Sequence, residues 1–117
     1  MITDSNFLYG TFKQVNYLID HGVPTYQYIL THEGEHSFST TLGYQKFGVC
    51  HGDDLQYLFE PSAITDAVEG EDAQVRDLMS AAWTNFAKTG DPSPPGSDIS
   101  WRQVTNATSH EIGRAHV

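Results

Sequence analysis

The sequence is short of cysteine, of positive charge and of long apolar runs. Its 117 residues include one cysteine, Cys50, which excludes an internal disulfide and a cysteine-rich metal site. Fifteen acidic residues against six basic ones give a net charge of −9, which repels phosphate backbones and anionic lipid headgroups. Nucleic acid is therefore a poor partner. No apolar run approaches the roughly 20 residues that span a bilayer, so we expect no membrane span in this chain.

The opening residues, MITDSNFLYG, also lack the basic start and the long apolar stretch of a signal peptide. What is present is a chain that is 38% hydrophobic and 12% aromatic. That composition predicts one modest folded domain with a core of its own rather than a disordered segment.

Two segments have the apolar spacing of amphipathic helices. The first is predicted to begin at a cap formed by Asp4 or Ser5 and to end before Gly22. The second is predicted over residues 72–88, with acidic residues at its start and Lys88 and Gly90 at its end. Its apolar stripe consists of Val75, Leu78, Met79, Ala82 and Phe86. The proline-rich DPSPPGSD that follows predicts a turn, and Trp101 is expected to anchor the chain after it.

Between the helices, residues 25–31 form an aromatic and β-branched run, which predicts a strand with both faces largely covered. Residues 33–47 are rich in Gly, Ser and Thr and are predicted to be a loop. Residues 48–50 are predicted to be briefly extended, and a short helix is expected around Leu55 and Leu58.

Residues 32–36, HEGEH, fit the H-E-x-x-H pattern of zinc peptidases. In a zinc site His32 and His36 would lie one helical turn apart, with Glu33 as general base and His51 or Glu60 as a third ligand. This arrangement requires a helix, yet the motif follows a strand-like run and contains Gly34, which costs roughly 1 kcal/mol relative to alanine in a helix interior. We therefore predict a polar loop that holds no metal.

A second histidine lies in GVCHGDDLQYLF, residues 48–59. Gly52 permits a sharp turn into a short helix started by Asp53 and Asp54, so His51 would be presented on a loop between two fixed elements. A general base requires such a position, although a lone loop histidine is more often simply solvent-exposed or packed. Cys50 beside it is expected to be a small packed residue rather than a nucleophile.

Two segments give the chain a family resemblance. HGDDLQYLF, from His51, resembles the H-G-x-E-L-x-[FY]-L-F segment of the type-B carboxylesterases, with Asp54 in place of the usual glutamate. WTNFAKTGDP, from Trp83, resembles the W-x-x-F-A-K-T-G-x-P that ends a long helix in the same enzymes. This family contains the cholinesterases, the juvenile hormone and detoxifying esterases of arthropods, and non-catalytic neuroligin-like adhesion proteins.

The resemblance implies an α/β fold, namely the C-terminal portion of an α/β-hydrolase. Helix, strand, catalytic-histidine loop and long helix would follow in that order, with an incomplete sheet. His51 would be the general base for hydrolysis of a small-molecule carboxylic ester, with no cofactor and no metal. Gly52, Asp53 and Asp54 could orient that histidine, but capping of the turn or a supporting role behind it is the simpler interpretation.

The nucleophile is expected in a G-x-S-x-G setting, which no serine of this chain has. Ser5 lies in TDSNF, Ser37 and Ser39 lie in EHSFSTT, and Ser62 lies in EPSAI. We therefore expect a fragment that is inactive alone and whose partner is the upstream part of the same domain. Two alternatives stay open: a neuroligin-like adhesion protein with an incomplete catalytic triad, and a zinc hydrolase that uses HEGEH.

The carboxylesterase-like domain is predicted to cover residues 1–105, with residues 106–117 as a tail. Asn106 begins an N-glycosylation pattern, which would be used if the parent protein enters the secretory pathway, as the family resemblance implies. Residues 111–117 are expected to be artificial. IGRAHV is the translation of ATCGGAAGAGCACACGTC, a string found in a common sequencing adapter.

Overall fold

The computed structural model describes residues 7–59, 68–93, 95–96 and 101–105. Within these ranges the chain forms four helices and no strand: α1 (Tyr9–Asp20), α2 (Phe38–Thr41), α3 (Leu55–Leu58) and α4 (Gly70–Thr89). The described residues belong to two compact units, one with residues 7–29 and 101–105 and the other with residues 30–59, 68–93 and 95–96. Predictions for some positions lie outside the described residues: Asp4, Ser5, Glu60, Ser62, Asn106 and 111–117.

In the first unit, α1 confirms the first predicted helix. It ends where predicted, because Gly22 adopts a φ of 70° and donates its N–H to the carbonyl oxygen of Ile19 at 2.9 Å. Val15 is buried in this helix, whereas Phe12, three residues earlier, is 45% exposed.

The strand predicted for residues 25–31 is not formed, and this part of the prediction is wrong. A strand needs a ladder of backbone hydrogen bonds to a neighbour, and residues 25–31 are irregular. The Val104 N–H donates to Thr25 O at 2.8 Å. Residues 101–105, which contain Val104, also confirm the anchoring role of Trp101. Its indole N–H donates to Gln27 O at 2.9 Å, and its ring meets Tyr28 edge-on.

In the second unit, α3 and α4 pack against each other. Tyr57 of α3 is 2% exposed, and on α4 the predicted stripe is buried at Val75, Met79 and Ala82. Phe86, at the end of that stripe, is instead 47% exposed. The apolar spacing therefore identified both helices and most of the face by which α4 joins the core.

The C-terminal end of α4 is closed by its own motif. Gly90 adopts the left-handed conformation at φ 79° and donates to Phe86 O at 2.8 Å. The Asn85 side-chain amide donates to Asp91 O and Ser93 O, at 2.7 and 2.8 Å. The segment NFAKTGDPS therefore ends the helix and fixes the turn after it, so the longest family-like motif in this chain has a structural role.

Residues 33–47 were predicted to be a loop, but they contain the single-turn helix α2. Ser37 is its N-cap, with an extended backbone and a hydroxyl that accepts the N–H of Ser39 at 3.2 Å. One turn is too short to produce the 3.6-residue apolar period by which the longer helices were recognised.

Gly34 lies where the chain passes closest to α3 and α4. A methyl group on its Cα would stand 2.1 Å from the hydroxyl oxygen of Tyr57 and 2.9 Å from both carboxylate oxygens of Asp72. The Tyr57 hydroxyl is buried and has no hydrogen-bond partner among the described residues, so packing alone holds it there. The central glycine of HEGEH is therefore required by close packing.

We predict that Gly34→Ala lowers the free energy of unfolding by about 1–3 kcal/mol, because the new methyl group overlaps Tyr57 and forces it to move. Urea unfolding followed by circular dichroism measures the change. Gly10→Ala is the control, since its added methyl group meets nothing within 4 Å and alanine favours a helix. Adding Tyr57→Phe should recover part of the loss, and a double variant no more stable than Gly34→Ala would contradict the packing explanation.

Candidate active site

His51 lies on an exposed turn between the half-buried residues 48–50 and helix α3. The turn is formed by backbone bonds from Asp53 N–H to Cys50 O at 3.1 Å and from Leu55 N–H to Gly52 O at 3.0 Å. Gly52 has a φ of 91°, a value that side-chain-bearing residues rarely adopt, which confirms the predicted sharp turn. His51 thus lies in a tight turn that leads directly into a packed helix.

The carboxylate of Asp53 is the most heavily hydrogen-bonded group near His51. It is 4% exposed and accepts the backbone N–H of Phe38 at 2.8 Å and that of Cys50 at 2.9 Å. The hydroxyl of Ser37 donates to both of its oxygens, at 3.0 and 2.9 Å, and the thiol of Cys50 lies 3.2 Å from one of them. The bonds from Ser37 and Phe38, which lie 16 and 15 residues before Asp53, join a separate segment to the turn that carries His51.

Burial by itself raises the pKa of Asp53, because an apolar surrounding disfavours the charged form. The hydrogen bonds from the Cys50 and Phe38 amides, the Cys50 thiol and the Ser37 hydroxyl act in the opposite direction and prevail. The pKa is held below its ordinary value of 3.8. The group is therefore a buried anion at neutral pH.

The capping prediction for the two aspartates requires a correction. Asp54 occupies the N-cap position of α3, but its side chain makes no capping hydrogen bond there. Asp53 closes the turn instead, and it does so on the N-terminal side, through the amide of Cys50. The exchange follows from the turn geometry, because the backbone of Asp54 is already helical, whereas side-chain caps usually come from an extended residue.

Cys50 confirms the prediction of a small packed residue. It is half-buried, and its sulfur lies 3.4 Å from the Ser37 hydroxyl and 3.2 Å from the Asp53 carboxylate. The thiol therefore belongs to the hydrogen-bonded cluster under the turn.

The HEGEH segment lies outside every helix, as predicted. Its first histidine, His32, pairs through Nε2 with the carboxylate of Asp72 near the start of α4, at 2.5 Å. The same carboxylate accepts the backbone N–H of Glu35 at 2.9 Å. His36 contributes its carbonyl oxygen, which accepts from the Gln56 side chain at 3.1 Å. The segment is thus bonded to α3 and α4, and no group of three potential metal ligands occurs within the described residues.

Two residues in these networks were not identified as functional from the sequence. Ser37 was considered only as a nucleophile, yet it is 1% exposed and donates to Asp53. Asp72 is one of the acidic residues at the start of the second predicted helix, yet it also pairs with His32, 40 residues before it. The run Ser-Phe-Ser-Thr after HEGEH could have indicated an N-cap at Ser37, whereas no sequence signal pairs Asp72 with His32.

Comparison with known proteins gives the family. A model of the carboxylesterase family matches residues 1–114. The chain belongs to the carboxylesterase family. Human bile salt-activated lipase is 38% identical over 89 residues, which are 73% of this chain and 11% of that protein. Juvenile hormone esterase of Tribolium castaneum is 28% identical over 109 residues, which are 86% of this chain and 18% of that protein.

Among solved structures, this carboxylesterase-family chain is similar to juvenile hormone esterase from Manduca sexta, crystallised with OTFP covalently attached. The TM-score is 0.75 at 24% identity, over 89% of this chain and 21% of the other. This similarity shows that the chain shares its fold with part of an α/β-hydrolase esterase. The chain spans between a tenth and a fifth of the length of the two curated relatives named above. None of the helices in the part of the chain that the structure describes has the length and hydropathy to cross a bilayer.

The Asp72 pair predicts a pH dependence of stability. Burial raises the pKa of Asp72, but the hydrogen bonds from His32 and from the Glu35 amide outweigh it and hold the pKa below 3.8. Because folding favours the ionised form, the stabilisation is complete above the unfolded pKa and is lost as pH falls through the lower folded value. We therefore expect the urea midpoint to decrease steeply below about pH 4.

Asp72→Asn should lower the free energy of unfolding at pH 7 by about 1–3 kcal/mol and should make the fall below pH 4 shallower. Asp77→Asn is the matched control on the same helix. Its side chain is 71% exposed and pairs with Arg76 at the surface, so the change should be small. Identical acid slopes for wild type and Asp72→Asn would show that the Asp72 pair does not link protonation to folding.

Proposed function

We propose that this chain is the C-terminal part of a serine carboxylesterase and that His51 is its general base. The observation that carries the proposal is the setting of His51, on an exposed turn fixed by Gly52 and by the buried carboxylate of Asp53. A general base must be reachable by the substrate and held in one position, and an exposed residue on a hydrogen-bonded turn supports such a role.

The relatives support an enzyme rather than an adhesion protein. The similar proteins are named bile salt-activated lipase, juvenile hormone esterase and carboxylesterase, and each of these names describes hydrolysis of a carboxylic ester. The neuroligin-like alternative is accordingly not favoured. The zinc alternative lacks the helix that would bring His32 and His36 together, because residues 32–36 are irregular.

In the proposed reaction His51 acts on groups supplied by the rest of the domain. Its ring accepts the proton of a serine hydroxyl while the serine oxygen attacks the ester carbonyl, and it then donates that proton to the departing alcohol. Water hydrolyses the acyl-enzyme by the same exchange in reverse, which returns the free acid and the serine. The developing oxyanion requires hydrogen-bond donors, which we also assign to the rest of the domain.

Substitution of the histidine tests the assignment in the complete reading frame that contains this chain. His51→Ala should lower kcat for p-nitrophenyl butyrate by roughly 10⁴-fold or more, because no other group can accept the serine proton, while the circular dichroism spectrum stays unchanged. His21→Ala, at the exposed end of α1, is the control and should retain full activity. Turnover by His51→Ala at the wild-type rate would refute the role of His51.

The 117-residue chain on its own should hydrolyse no ester above the buffer rate. None of its serines lies in G-x-S-x-G, and a histidine without a nucleophile or an oxyanion site has nothing to activate. Purified chain assayed with the same aryl ester, against a mock purification that controls for host esterases, measures this. Turnover that disappears on His51→Ala would mean that a nucleophile exists within these residues.

A further inference from the structure

The buried carboxylate of Asp53 lies two residues after His51. Its hydrogen-bond partners come from the histidine loop itself and from a separate segment of the chain. Cys50, just before His51, donates its amide from within the loop. Ser37 and Phe38, at the start of α2, donate a hydroxyl and an amide from a separate part of the chain. One side chain therefore connects the backbone next to His51 to a segment that is not its neighbour in sequence.

The chemistry of this cluster requires an anion at position 53. The groups that face its oxygens are an alcohol, two backbone amides and a thiol, and each of them can act as a donor. A carboxylate accepts from all of them, whereas the amide of asparagine would direct its NH₂ group at a donor. Charge-assisted bonds of this kind are also the stronger ones, which favours a single conformation of the loop.

Ser37, like Asp53, is buried and is held by hydrogen bonds on two sides. It is 1% exposed, its hydroxyl reaches both carboxylate oxygens, and its carbonyl oxygen accepts the amides of Thr40 and Thr41 in the first turn of α2. The serine is thereby fixed by a helix turn on one side and by the aspartate on the other. Removing its hydroxyl would take away one of the two links between the loop and the start of α2, the Phe38 amide being the other, and would leave the charge of Asp53 in place.

We propose that Ser37 and Asp53 form a positioning pair, which holds the turn of His51 in the geometry needed for proton transfer. This inference rests on the proposed function of His51 and adds to it two residues that need not touch the substrate. A displacement of about 1 Å in a catalytic group can cost roughly 100-fold in rate, so a loosened turn should affect the chemical step more than substrate binding.

The test uses the complete reading frame and p-nitrophenyl butyrate, with four variants assayed in parallel: Ser37→Ala, Asp53→Asn, the double variant and His51→Ala. Ser37→Ala and Asp53→Asn should each lower kcat per folded enzyme by roughly 10–100-fold with KM changed less than about 3-fold. Since the two residues act as a unit, the double variant should be no worse than Asp53→Asn alone.

Val75→Ala controls for loss of stability. Val75 is 4% exposed in α4 and takes part in none of the hydrogen bonds to Asp53 described above, so its truncation should destabilise the fold while kcat per folded enzyme stays at the wild-type value. If Asp53→Asn does not fold, Ser37→Ala decides, because it keeps the buried charge and removes one hydroxyl.

The positioning pair and the general-base role of His51 can be refuted independently. Inactive His51→Ala together with wild-type kcat in Ser37→Ala and Asp53→Asn would overturn the positioning pair and leave the role of His51 intact. Additive losses in the double variant, or an equal loss of kcat in Val75→Ala, would also overturn it. Wild-type turnover by His51→Ala would instead refute the proposed function on which the pair rests.

Discussion

Burial of the Asp53 carboxylate determines how the chain is arranged around the His51 turn in the second unit. A charge removed from water is tolerated when hydrogen-bond donors surround it, and Asp53 is supplied by Ser37, Phe38 and Cys50. Those donors can converge only if α2 begins at Ser37 and if the chain turns sharply after Cys50. The single-turn helix, the positive φ of Gly52 and the exposed position of His51 are thus consequences of satisfying the same group.

A second set of contacts holds the preceding segment against the helices. Asp72 binds His32 and the amide of Glu35, while Tyr57 fills the space left by the missing side chain of Gly34. The two networks together fix residues 32–38 at both ends. After these residues the chain continues to the histidine turn. On the way it exposes three large apolar side chains, those of Leu42, Tyr44 and Phe47.

The proposed catalysis assigns one role to an exposed residue and another role to buried residues. His51, the proposed general base, is exposed, whereas Asp53 and Ser37 are buried and Cys50 is half-buried. The WTNFAKTGDP motif, a long match to the family pattern, ends a helix through Asn85 and Gly90. Family likeness therefore marks structural positions as well as reactive ones.

The sequence by itself determined the two long helices, the turn at Gly52 and the family, because each depends on local periodicity, on one residue's backbone freedom or on a contiguous motif. It also predicted that HEGEH would not be helical, since a central glycine after an aromatic run argues against it. The residues missed were those whose role depends on partners distant in sequence: Ser37 with Asp53, Asp72 with His32, and Gly34 with Tyr57. The strand predicted for residues 25–31 failed for the same reason, because a strand takes its hydrogen bonds from a neighbour and side-chain alternation cannot supply one. Only the tertiary structure decides which distant groups satisfy a buried charge or fill a missing side chain, since both depend on where the chain returns in space.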